Sequence, residues 1–165
     1  MKAYKAEDLR GFTQALFTRE SFDHFLVSEA EFRTFCLFTV RGSSERAWYT
    51  DEELENEKVE DYTSWKKLRP LCFGLIRGKK TPLSFRITLR LPPAEEEKLI
   101  SEGNTGIRPE DVGGFFLHLK FDEGRLLCIS AASFNIFPPD RVLEELWTGK
   151  TEAFFKEQGL YVMEA

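Results

Sequence analysis

The sequence predicts an α+β fold: a single domain over residues 1–165, mainly an antiparallel sheet of about five or six strands with helices packed on it. Three observations predict it. Leu83–Leu91 alternates without a break, with Leu83, Phe85, Ile87, Leu89 and Leu91 on one face and Ser84, Arg86, Thr88 and Arg90 on the other, the pattern of a strand buried on one side. Phe115–Phe121 and Arg125–Ile136 flank Glu123-Gly124, which reads as a two-residue hairpin turn. Elsewhere apolar residues recur at spacings of three and four, as in Leu9, Phe12 and Leu16.

In chain order, residues 1–4 read as a short strand and Ala6–Phe17 as a helix, with Glu7 and Asp8 in the first turn where the helix dipole favours acids. Phe22–Val40 reads as two strands, about 22–29 and 32–40, with Glu29 and Glu31 at the connection, or as one long bent strand. Apolar residues on both faces of 32–40 point to a central strand. Residues 41–61 are polar and acidic and read as a long loop excursion. Within it, Trp48 and Tyr49 either pin the loop to the body or present an aromatic contact surface. A helix capped by Asp61 or Ser64 runs to about Arg77 and places Trp65, Leu68, Cys72, Leu75 and Ile76 on one face. Pro70 opposes a helix there, because it lacks a backbone donor. A start near Arg69 removes the objection, and a strand over 71–77 is the other option.

After Leu91, Pro92-Pro93 ends the strand. Residues 94–102 read as a short acidic helix and 109–112 as a single helical turn. Counting out from Glu123-Gly124 pairs Asp122 with Arg125, Phe121 with Leu126, Leu119 with Cys128 and His118 with Ile129. Pro138-Pro139-Asp140 opens the last helix, with Val142, Leu143, Leu146 and Trp147 on its apolar face and an interruption expected at Gly149. Leu160–Val162 reads as an edge strand or docked tail. Residues 6–77 and 94–157 share a plan of helix, two strands and helix, a weak sign of duplication.

A chain of 165 residues with 42% hydrophobic residues and 16 Phe builds its core without a metal or disulfide staple. A net charge of −5 excludes general affinity for nucleic acid or anionic membranes and leaves only a local patch for such work. Cys36, Cys72 and Cys128 each lie in an apolar run, which predicts buried free thiols in a reducing compartment. Charges throughout the first twenty residues are incompatible with a signal peptide, and no run of about 18 apolar residues is present. The expected location is the cytoplasm, with no membrane contact. No CxxC or Cys/His cluster implies a metal, and no motif implies a cofactor.

Charge is distributed unevenly. Residues 65–91 hold Lys66, Lys67, Arg69, Arg77, Lys79, Lys80, Arg86 and Arg90 and no acid. The other residues carry 15 basic against 28 acidic side chains, a net −13. These eight residues are the candidate site. Lys79 and Lys80 at a turn, with Arg86 and Arg90 on one strand face, form a ridge suited to phosphates of a nucleic acid or small anion. Tyr62 and Trp65 supply stacking surface if exposed. The competing reading is internal balance against the acidic 51–61 and 94–102 segments. Catalytic signals are weak. His118 falls on the face opposite Cys128, His24 and Cys36 form a dyad only if cross-strand neighbours, and Ile76–Pro82 lacks the spacing of a phosphate-binding loop.

Several strings are similar to a known family: Phe22–Ala30, Trp65 with Arg69–Phe73, Ile76–Phe85 and Arg108–Val112. They resemble an uncharacterised domain-of-unknown-function family of anaerobic Gram-positive bacteria, in collinear order over nearly the whole chain. The resemblance implies no activity, substrate or site residue, and supports a single cytoplasmic domain. The function expected from the residues is a non-enzymatic binding or accessory protein whose 65–91 surface meets an anionic partner, with the 41–61 loop closing over it. The alternatives are a protein–protein or oligomeric structural module, and a small hydrolase-like enzyme with its site under the 41–61 loop or near His118.

Overall fold

The structure is a computed structural model and describes all residues, Met1–Ala165. Seven strands form one antiparallel sheet: β1 (Lys2–Ala6), β2 (Leu26–Arg33), β3 (Leu37–Arg41), β4 (Ser84–Arg90), β5 (Val112–Asp122), β6 (Arg125–Phe134) and β7 (Val162–Glu164). Their order is β3-β2-β4-β5-β6-β1-β7. Five helices accompany them: α1 (Leu9–Phe17), α2 (Asp51–Asn56), α3 (Trp65–Ile76), α4 (Pro93–Gly103) and α5 (Val142–Glu157). The α+β class holds, with one or two strands more than the residue pattern predicts. The short strand read at residues 1–4 is β1, and the edge strand read at Leu160–Val162 is β7, which starts at Val162 and pairs with β1 from Tyr4↔Glu164 to Ala6↔Val162.

One face of the sheet is covered. Phe85, Ile87 and Leu89 of β4, Phe115, Leu117, Leu119 and Phe121 of β5, and Leu126 and Cys128 of β6 join a single core cluster with residues from α1, α3, α4 and α5. Aromatic contacts fasten the layers: Phe17 meets Phe85 edge-on at 5.4 Å, Tyr4 meets Phe155 at 5.3 Å, and Trp147 lies 5.9 Å from Phe115. Trp65 is fully buried and donates its indole N–H to the Leu16 carbonyl at 2.8 Å, tying α3 to α1. Such a ring satisfies its one polar atom while burying a large apolar surface.

The β5–β6 hairpin has the register counted from the sequence, Asp122↔Arg125 through His118↔Ile129. Glu123 and Gly124 both take positive φ, 50° and 73°, as a two-residue turn matched to strand twist requires. Helix α3 is a helix from Trp65, with Ser64 as its cap and Pro70 inside. Pro70 and Lys66 are both exposed, so the Lys66 carbonyl that loses the Pro70 donor lies on the solvent side, and burial of Trp65 and Cys72 outweighs the break. Helix α5 runs through Gly149 without interruption.

The first hairpin differs from expectation. Its turn is at 34–36, where the Thr34 N–H reaches the Cys36 carbonyl at 3.0 Å, and it uses no glycine. Glu29 and Glu31 therefore sit inside β2, and residues 22–25 form a turn that sends Phe22 and Phe25 into the core. Strand β3 is an edge, not a central strand, and Phe35 and Cys36 of its apolar run lie in the turn. Cys36 is exposed at the tip, a correction to the buried-thiol reading, while Cys72 and Cys128 are buried. The Cys72 thiol is pushed up to about 12 by burial. Residues 41–61 contain a single 3-10 turn at Arg46–Trp48 as well as α2. Gly42 anchors their start, because a Cβ there would stand 1.7 Å from the Val27 carbonyl oxygen. Helix–hairpin–helix occurs twice, as α1-β2-β3-α3 and α4-β5-β6-α5, and the first strand of each hairpin pairs with β4.

Candidate functional site

The eight basic residues of 65–91 separate into three environments. Arg69 is structural: its guanidinium takes both oxygens of Asp23 at 2.8 and 3.0 Å, and that hydrogen-bonded carboxylate raises its pKa further. Lys67 sits 5.4 Å from the Tyr49 ring centroid, with its ammonium 3.3 Å from the hydroxyl. Tyr49 thus pins 41–61 to α3, while Trp48 is 82% exposed. Lys66 is exposed beside Glu20, Asp23 and His24 at the rim of a shallow cavity. None of these three faces a basic site.

Arg86 and Arg90 lie on the open face of the sheet. Arg86 stands between Glu31 of β2 and Lys120 of β5 in register. Thr88 is paired with Glu29 and with His118, and its hydroxyl is 3.1 Å from His118 Nδ1. Burial, with help from Lys120 and Arg86, lowers the His118 pKa. Arg90 is enclosed: its guanidinium is 4.4 Å from the Tyr62 ring centroid and 5.2 Å from that of Phe116, and it donates to the Gly113 carbonyl at 3.3 Å. The same guanidinium partly opposes the burial that raises the Glu96 pKa.

Arg77, Lys79 and Lys80 do converge, with a fourth cation that sequence reasoning missed. They rim a groove of ≈ 520 Å³ between α1 and the segment joining α3 to β4, with Arg10 of α1 on the opposite side. Its apolar residues are Leu9, Phe17, Phe73, Ile76, Phe85 and Phe121, and no acidic side chain lines it. None of the four cations belongs to any of the ten ion pairs of the chain. The local sequence explains the arrangement. Helix α3 stops at Arg77, Gly78 takes φ 145°, and Pro82 precedes β4, so three cations are held in an extended exposed connection. Arg10 follows Leu9 at the start of α1, where Asp8 accepts the Gly11 N–H at 3.0 Å as cap. The signal for Arg10 was present as a basic residue on the solvent side of an amphipathic helix, but its alignment with Lys79 depends on how α1 packs on the sheet.

The ridge expected from Lys79, Lys80, Arg86 and Arg90 is divided by the sheet. Phe85 points into the helical layer beneath the groove, so Arg86, one residue on, points to the other side. No residue of 41–61 lines the groove, and that segment meets the basic stretch at Lys67 instead. Trp65 is wholly inside the core and offers no stacking surface. His24 packs against Phe25 and Phe154 before β2 begins, whereas Cys36 lies beyond its far end, so they are not neighbours. No group of three or more His, Cys, Asp or Glu is placed to hold a metal ion. No helix is long and apolar enough to cross a membrane. Phe35, Trp48 and Phe137 are strongly exposed but come from three separate turns.

No curated protein and no solved structure matches the chain. The chain belongs to DUF5721, a family of unknown function, which it matches over residues 15–162.

Proposed function

We propose that this protein is a non-enzymatic binding protein, a single domain whose working surface is the groove between α1 and the α3–β4 connection, and that its ligand is anionic. One observation carries the reading: Arg10, Arg77, Lys79 and Lys80 surround one groove with no acid in its lining and no ion pair of their own. Cations at a surface ordinarily intersperse with acids, and this chain has an excess of acids to supply. Four that escape neutralisation raise the local concentration of anions at the groove mouth. The resemblance to a family of anaerobic Gram-positive bacteria, with an exposed free Cys36, favours a reducing bacterial cytoplasm as the setting.

The test is a titration of the protein with inorganic phosphate, short DNA and RNA oligomers and alkyl phosphates over a salt series, with the Lys79→Glu/Lys80→Glu variant alongside. Binding of at least one anion that weakens with salt, and a loss of about tenfold in the variant, is the expected result. If no anion binds at low salt, or the variant binds as the parent does, the reading is wrong.

A second reading, a small hydrolase-like enzyme, is favoured by one contact: the Thr88–His118 pair at 3.1 Å, beside Glu29 and Glu31, in a cavity of ≈ 340 Å³ on the open face. Ester hydrolysis that vanishes in both Thr88→Ala and His118→Gln supports it, and hydrolysis at the background rate removes it.

A further inference from the structure

The groove has chemistry behind its charges, and we infer that its ligand is a single anionic amphiphile, with one phosphate or carboxylate head and an apolar tail. This rests on the groove being an anion site, as proposed above, and adds what the rest of the ligand must be. A groove of ≈ 520 Å³ is in the size range of sites for whole organic molecules. Inorganic phosphate would touch its rim and leave the floor empty.

The floor is apolar and already assembled. Phe85 stacks on Phe121 at 5.2 Å, Phe17 stands edge-on to Phe85 at 5.4 Å, and Phe73 stacks on Phe17 at 6.4 Å. Of the hydroxyls that line the groove, Thr13 donates to the Leu9 carbonyl and Thr18 to the Gln14 carbonyl, each at 2.9 Å. A tail placed over these rings lies along the half-buried Leu9, Phe73 and Ile76, needs no polar partner and orders little that is not ordered already. The charges are divided across the groove, Arg10 on α1 and Arg77, Lys79 and Lys80 on the facing connection, so a head at the rim is met from both sides.

Other anionic partners fit less well. Bases of a nucleic acid stack on open ring faces, but Phe17, Phe85 and Phe121 are 3%, 3% and 6% exposed and spend their faces on one another. An acidic peptide would bring backbone amides, which cost free energy when buried without hydrogen-bond partners, and beyond the cations the groove offers them only Gln14 and three threonines. A bilayer is met by apolar side chains that protrude, whereas every apolar residue of this groove is buried or half-buried. A single molecule can enter where a surface cannot.

The experiment is calorimetric titration of the full chain with inorganic phosphate, hexyl, octyl and decyl phosphate below their micellar concentrations, and octanol. Sedimentation with phosphatidylglycerol vesicles is a separate arm. Affinity is expected to rise by about two- to fourfold per methylene, with octanol at least about tenfold weaker than octyl phosphate. Lys79→Gln/Lys80→Gln changes only exposed side chains and is expected to weaken octyl phosphate by about three- to tenfold while leaving octanol unchanged. Ile76→Thr, on the helical wall, is expected to flatten the dependence on chain length. If inorganic phosphate binds as tightly as octyl phosphate, the tail is not recognised; this inference falls and the anion reading stands. If octanol matches octyl phosphate, or nothing binds, both fall. Binding to vesicles without binding of any monomer overturns the inference in favour of a membrane surface.

Discussion

Arg77, Lys79 and Lys80 of the groove and Arg86 and Arg90 of the open face come from the same 27 residues, yet they belong to different surfaces. On the open face Arg86 has Glu31 across one strand boundary and Lys120 across the other, and Asp122 pairs in register with Arg125. Both signs are present there, as on an ordinary solvated face. At the groove four cations meet no acid and border phenylalanine. Segregation from acids, combined with an apolar floor, separates a candidate site from charge balance; the density of basic residues along the chain does not.

The largest effect that would sharpen the contrast is on stability. Phe85 is core on the groove side and Thr88 is partly exposed on the other. Phe85→Ala is expected to cost about 3–5 kcal/mol and Thr88→Ala less than about 1 kcal/mol, measured by urea denaturation. Equal costs would mean that the sheet is covered on both faces. On binding, Lys79→Glu/Lys80→Glu is expected to reduce affinity for an anionic ligand by about tenfold and Arg86→Glu by less than about threefold. The reverse order would move the site to the open face.

The remaining effects are smaller. Burial lowers the His118 pKa, so the unfolded chain takes up a proton at higher pH than the folded one does. Its contribution is complete above the ordinary imidazole range near pH 6.5 and is lost as the pH falls through that range to the lowered folded value. His118→Gln is expected to flatten this part of the stability profile; an unchanged profile would show His118 to be solvated. A maleimide should label Cys36 rapidly and leave Cys72 and Cys128 until unfolding, and labelling of two thiols in the native state would contradict the burial of α3 or β6. Finally, Lys120 stands directly opposite Arg86. Like charges so placed are destabilising, and Lys120→Glu is expected to stabilise the fold by about 0.2–1 kcal/mol. A loss of stability would show that the pair is held apart by something more than the sheet.

The sequence by itself determined the elements whose periodicity is local. Strand β4 alternates over its whole length, the β5–β6 register follows from two turn residues with positive φ, and Trp65 and Cys72 repeat on the buried side of α3. It determined too that Arg77, Lys79 and Lys80 share an exposed connection after that helix, because a glycine and a proline bound it. It misplaced the β2–β3 turn, since a backbone hydrogen bond at Thr34–Cys36 closes it without glycine or proline. Only the tertiary structure decided which cations work together. Arg10 is 67 residues before Arg77 and reaches the groove because α1 and α3 pack side by side through the Trp65–Leu16 bond. Arg86 is six residues after Lys80 and is lost to it because alternate residues of a strand face opposite sides of a sheet.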